Sequence, residues 1–214
     1  MSPSDVLVSL VMMAAPALGA AQPPAILQIY REPLRPGAEA EYDRIESETA
    51  RTCAELRCPH AYLALESLTG PKEVWWFNGY LSEADRKQVT DTWAKSTEVV
   101  AALGRNRERK APLTGKGIEV FSNYRADLSR GPAWVLGRGR FLVIAMTRGA
   151  PPFEGAVYES SDGTRFVIAP ARTRAEAAAA GAGTDARVLA ARPRWSHPAE
   201  DWIAADREFW RHAR

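Results

Sequence analysis

Ala61-Tyr62-Leu63-Ala64-Leu65-Glu66-Ser67-Leu68-Thr69-Gly70-Pro71-Lys72-Glu73-Val74-Trp75-Trp76-Phe77-Asn78-Gly79-Tyr80 decides the fold. Two apolar runs flank the turn residues Thr69-Gly70-Pro71, the signature of a β-hairpin. Both runs are apolar at nearly every position, whereas a sheet with one wet face alternates. Both faces of this hairpin are therefore covered, one by helices and the other by a second layer.

Upstream, Ile26 to Arg31 is β-prone and is stopped by Pro33 and Pro36-Gly37. Ala38, Tyr42, Ile45, Thr49, Cys53 and Leu56 then recur at steps of three and four, the stripe of a helix. Glu39, Glu41, Arg44, Glu46, Glu48 and Arg51 read as mostly its wet side. Pro59 ends any continuation. Downstream, Ser82 caps a second helix, with Asp85 standing in for the Glu of a capping box. That helix is lined by Val89, Trp93, Ser96, Val100 and Leu103. A basic loop from Arg105 to Lys116 leads into a strand at Ile118 to Phe121.

This strand–helix–hairpin–helix–strand order resembles the ferredoxin-like half of the dimeric α/β-barrel superfamily, closest to its NIPSNAP-like branch. The resemblance is carried by Gln28-Ile29-Tyr30-Arg31-Glu32-Pro33-Leu34-Arg35-Pro36-Gly37, Glu41-Tyr42, Glu73 to Tyr80 and Ser82 to Arg86, within about half of the chain. It implies two sheets facing across a cavity. The superfamily includes oxygenases, haem-handling enzymes, isomerases and proteins of no known activity, so fold does not deliver function. Its haem-degrading members use an Asn, Trp and His set. Asn78, Trp76 and His60 are those residue types here, without a position-by-position match, and no cofactor follows.

The second half carries a strand at 140–147, a hairpin around Asp162-Gly163, a helix opened by the Thr173/Glu176 capping box, a strand at 187–191 and a C-terminal helix after Pro198. The order repeats the first half without its first helix. The expectation is an α+β chain of two ferredoxin-like (βαββαβ) units in tandem, forming a dimeric-α/β-barrel-type arrangement with the second unit reduced. A simple meander is the alternative. The boundaries are a leader at 1–20, a first domain at 21–125, a linker at 126–139 and a second domain at 140–214.

The leader reading rests on the apolar run Val6 to Ala15 and the small residues Gly19, Ala20 and Ala21. The run has the length of a signal h-region and is short for a membrane span, although Met1 to Asp5 holds no Lys or Arg. The expected address is periplasmic or extracellular, with no integral membrane segment once the leader is removed. An oxidising compartment and an even cysteine count then favour a Cys53–Cys58 disulfide. Cys53, Cys58 and His60 would give a metal only three ligands, so no metal site is expected. The formal charge of +2 gives no case for nucleic acid.

Residues for chemistry are sparse. Glu66 sits on an apolar strand and shares a face with Tyr62 and Ala64. Lining a cavity, it would be desolvated, as general acids and bases are. Pairing with Lys or Arg at a strand end is the plainer reading. Trp76, Asn78 and Tyr80 share one parity, and with Gln28, Tyr30, Tyr62 and Glu66 they would make an aromatic pocket with polar handles. A core with satisfied polar groups is the alternative. His60 is a second acid/base candidate. His197 and His212 read as a helix cap and a solvated terminus, and the Arg105 to Lys110 run as a solvated face.

The leading function is binding of a small, partly apolar molecule. An oxygenase- or isomerase-type enzyme comes next, and a non-catalytic envelope interaction protein third. Homo-oligomerisation stays open. Intact mass of the protein from its native envelope fraction is expected to begin near Ala21 or Gln22. A mature chain that keeps Met1 to Ala20 would contradict the leader.

Overall fold

The computed structural model describes residues 22–213. The leader lies outside them. In chain order the elements are β1 (Ile26–Pro33), α1 (Glu39–Glu55), β2 (Leu63–Ser67), β3 (Glu73–Tyr80), α2 (Glu83–Lys95), α3 (Thr97–Lys110), β4 (Ile118–Tyr124), β5 (Phe141–Thr147), β6 (Ala156–Ser160), β7 (Arg165–Ala171), α4 (Arg174–Ala180), β8 (Arg187–Ala191), α5 (Glu200–Ala205) and α6 (Arg207–Trp210). Local signals set many of the bounds. Gly37 takes the left-handed conformation that the turn before α1 needs (φ +80°). The Ser82 hydroxyl accepts from the Asp85 amide at 3.1 Å, and the Asp85 carboxylate accepts from the Leu81 amide at 2.8 Å. Thr173 and Glu176 form a full capping box.

The strands form one closed barrel, in the order β1-β3-β2-β8-β5-β7-β6-β4, with β4 returning to β1 and every pairing antiparallel. This overturns the tandem ferredoxin-like units. The strands of the two halves do not form separate facing sheets. They are hydrogen-bonded into one continuous wall at β2–β8, where Leu65 opposes Ala191, and at β4–β6, where Ser122 opposes Ser160. Strand patterning reports which residues point inward and is silent on which edges pair, so closure is invisible to it.

Closure explains the doubly apolar hairpin. One face of β2 and β3, carrying Leu63, Leu65, Trp75 and Phe77, points into the barrel. The other, with Ala64 and Val74, packs under Tyr42 of α1 and against Trp195. Eight strands leave an interior that side chains can fill. Here Leu27, Ile29, Leu142, Ile144, Tyr158, Phe166 and Leu189 fill it. Residues 126–139 add Trp134, which is fully buried edge-on to Phe77 and Tyr158 at 6.0 and 6.2 Å. Trp202 and Trp210 from the C-terminal helices pack into the same core.

The helix expected from Ser82 breaks at Ser96, whose hydroxyl donates back to the Thr92 carbonyl at 2.9 Å. The break turns the buried stripe onto Val99 and Asn106 and leaves Val100 49 % exposed. Arg105 to Lys110 is the end of α3 and not a loop. α2 buries no residue at all. Cys53 and Cys58 form a disulfide, their Cα atoms 4.7 Å apart, and the chain folds back through Arg57 in the left-handed region (φ 54°). No helix among the described residues is long and apolar enough to cross a membrane.

Candidate functional site

Cross-strand register builds one outer face of the barrel. Gln28 lies opposite Asn78 and Tyr30 opposite Trp76, all with the parity that points away from the filled interior. The structure thus brings Gln28, Tyr30, Trp76 and Asn78 together, each half-buried. Tyr62 joins them with its ring edge-on to Trp76 at 5.7 Å. His60 stacks on the ring of Tyr80 at 4.9 Å. The Tyr80 hydroxyl donates to Gln28 Oε1 at 2.8 Å, and Gln28 Nε2 donates to Glu119 at 2.6 Å. Gly117 leaves room for Tyr30, because a Cβ there would overlap the Tyr30 ring and hydroxyl.

Glu66 is set apart from this group. It pairs with Lys72 at 2.5 Å and with Arg192 at 3.6 Å.

α2 lies over this face. Asp85 is close enough to His60 to act on its charge, Arg86 sits 5.3 Å from the Phe121 ring centroid, and Trp93 packs with Tyr62 against the Cys53–Cys58 disulfide. Beneath it, His60 Nε2 and the Tyr62 hydroxyl are buried without a hydrogen-bond partner among the described residues. Burial holds His60 below the ordinary histidine range, against the opposing pull of Asp85. The Gly79 backbone also favours the charged ring, but burial outweighs it, and a neutral imidazole keeps one nitrogen as an acceptor. Burial, and then Glu46, push the Tyr62 hydroxyl up, so it stays protonated and remains a donor.

His197 contacts Tyr62 from the far side, with ring centroids 6.1 Å apart, and burial lowers it too. It also lines the largest cleft described, about 650 Å³, with Arg51, Arg57, Pro198 and Ile203. His212 lies exposed near the terminus and accepts from Arg211 Nε at 3.0 Å.

Next to Trp76 lies a buried charge network. Lys110 Nζ contacts Glu32 at 2.8 Å and Glu46 at 2.6 Å, and both carboxylates are 2 % exposed. Trp76 Nε1 donates to Glu32 at 3.1 Å, and the Tyr42 hydroxyl also donates to Glu32. Burial raises Glu46 above the usual carboxylate range, although Lys110 opposes it. Burial alone would lower Lys110, but Glu46 and Glu32 outweigh it and raise the ammonium. The network ties β1, α1 and α3 together beside the aromatic face.

A second cluster closes one end of the barrel. Glu73 accepts from Arg31 at 3.0 Å, from Trp75 Nε1 at 2.9 Å and from Arg187, and both guanidinia lie over Trp75. Neither network was anticipated as a group. Two signals were available: Glu46 is four residues from Tyr42 on the buried stripe, and Arg31 and Glu73 share parity with core residues. Lys110 gave none.

No family model matches the chain, and no curated protein matches it. Among solved structures, a candidate monooxygenase of Fusobacterium nucleatum subsp. nucleatum superposes with a TM-score of 0.51 at 10 % identity, covering 79 % of this chain and 93 % of that one. A candidate monooxygenase of Lactobacillus acidophilus gives a TM-score of 0.39 at 9 % identity, over 78 % and 93 % of the two chains. The first likeness is one of fold alone, and the NIPSNAP-like branch has no family-model match.

Because the folded state raises Glu46, its ionisation opposes folding. The cost appears as pH rises through the unfolded value and is complete above the folded one. Glu46→Gln should therefore equal or exceed the parent protein in stability at neutral pH and lose that advantage in acid. Lys110→Met strands two buried carboxylates and should cost about 3–5 kcal/mol. Denaturant unfolding across pH checks both; a strongly destabilised Glu46→Gln or a silent Lys110→Met would contradict the network.

Proposed function

We propose that the protein binds a small, partly apolar molecule on the α2-covered outer face of β1 and β3. Trp76 and Tyr30 offer it aromatic surface. Gln28, Asn78, Tyr62 and His60 offer it polar contacts. One observation carries this reading. His60 Nε2 and the Tyr62 hydroxyl, an acceptor and a donor, are buried and unpartnered where Asp85 and Trp93 of α2 meet the face. Each such orphan costs about 1–3 kcal/mol; of the six among the described residues, these two lie beside Tyr80 and Trp76 on the candidate face. A ligand with a donor for His60 and an acceptor for Tyr62 would satisfy both.

An oxygenase- or isomerase-type activity is the second reading. It is favoured by the neutral His60, whose free nitrogen suits it to take a proton from a bound hydroxyl. The fold likeness to a candidate monooxygenase leans the same way. Glu66 keeps no part in either reading, since Lys72 holds it at 2.5 Å. Membership of the NIPSNAP-like branch and export are further parts of the proposal; the disulfide fits an oxidising compartment.

Tyr62→Phe separates binding from folding. Removing an orphan hydroxyl should leave the free protein as stable or more stable, by up to about 1–3 kcal/mol. It should also weaken the ligand. Native mass spectrometry of freshly purified protein is expected to show a bound small molecule, lost from a Tyr62→Phe/His60→Gln double variant. An adduct retained by that variant would count against the site. So would an empty parent protein whose Trp76 and Asn78 side-chain resonances stay still across an aromatic fragment library.

A further inference from the structure

A concave site of about 480 Å³ lies between the end of β8 and the C-terminal helices, on a floor that includes Ala191, Pro193 and Phe209. Its volume is in the range of small-molecule pockets. Its remaining lining is Arg140, Arg192, Arg194, Arg211, His212 and Glu208. Among the described residues of the lining, one carboxylate stands against four guanidinia.

The partners of those guanidinia differ. Arg140 is held by Asp206 through two bonds of 3.0 Å, and Asp206 is not part of the lining. Arg192 has only long contacts, 3.5 Å to Asp43 and 3.6 Å to Glu66. Both acids are already engaged, Asp43 by Trp195 Nε1 at 2.8 Å and Glu66 by Lys72. Arg211 donates to the ring of His212, which supplies no negative charge. Arg194 has no ion pair among the described residues.

Two of the arginines are also held in place. Arg192 lies 4.5 Å from the Trp195 ring centroid and Arg140 lies 5.3 Å from that of Phe209. Stacked guanidinia are pre-oriented forks, so less freedom is lost when they grip an oxyanion. A concave wall of one sign focuses the field and raises the local concentration of the opposite charge.

We propose that this cleft binds a small polyanion, a molecule with two or more carboxylate or phosphate groups. Arg192 would hold one group as a pre-oriented fork, with Arg140 Nη1, which Asp206 does not engage, beside it, and Arg194 and Arg211 would close on another from the rim. The proposal is independent of the α2-covered face.

The test uses the full chain with citrate and pyrophosphate as probes, against sodium chloride at matched ionic strength. Calorimetry should show saturable binding of one or both, and the melting temperature should rise beyond the chloride control. Whichever probe binds more tightly identifies the carboxylate or the phosphate class. Arg194→Ser/Arg211→Ser, two exposed positions, should weaken binding by about tenfold or more, with the melting temperature of the free protein unchanged. Should that variant fail to fold, Arg194→Ser alone must still weaken binding. Binding no stronger than in chloride for both probes, or equal affinity in the variants, would overturn the site.

Discussion

The pairing of β2 with β8 and of β4 with β6 is the interaction on which the rest of the molecule depends. It removes the free edges that each half would otherwise leave to solvent or to another chain. It also creates an interior narrow enough for side chains to fill. Trp75, Phe77, Tyr158 and Trp134 occupy it, so the proposed ligand site is on the outer face of the sheet.

What happens on that outer face follows from uneven covering. α1 and α3 are fastened by the Lys110–Glu32–Glu46 network and by the bonds from Asn106 to Thr49 and from Arg109 to Glu48. α2 has no comparable attachment. It rests on the partly buried Val89 and Trp93, between a Ser82 cap and the break at Ser96. α1 and α3 pack on Tyr62 and Trp76 through Cys53, Leu56, Val99, Leu103 and Lys110, while α2 adds Trp93 and brings Asp85 to His60. The Cys53–Cys58 loop fixes the turn from which His60 enters β2.

Much of the fold was legible because it is local. The hairpin around Gly70, the Ser82 and Thr173 caps and the Asp162-Gly163 turn are encoded within a few residues of where they act. The cysteine pairing was legible from the spacing and the even count of cysteines. Closure was not, because which strand edges meet depends on contacts between distant residues, Leu65 with Ala191 and Ser122 with Ser160. The candidate site was readable as a shared parity, which placed Gln28, Tyr30, Trp76 and Asn78 side by side. The same parity also admitted Glu66, whose plainer reading, pairing with a basic residue at a strand end, is the one seen, with Lys72 across the hairpin turn. The buried charges escaped notice for a related reason: Lys110 closes a basic run that reads as solvated, and only the docking of α3 on α1 brings it to Glu46.

Amide hydrogen exchange on the intact protein tests most directly the claim that α2 is a thin cover over a binding face on a closed, filled barrel. Exchange reports local opening free energies, which are low where few apolar groups are buried. Amides of α2 should exchange well before those of α1, α3, β1 and β3, and the β2–β8 and β4–β6 seams should be protected as strongly as β1–β3. Protection of α2 equal to that of the strands beneath it, or early exchange at either seam, would contradict the account.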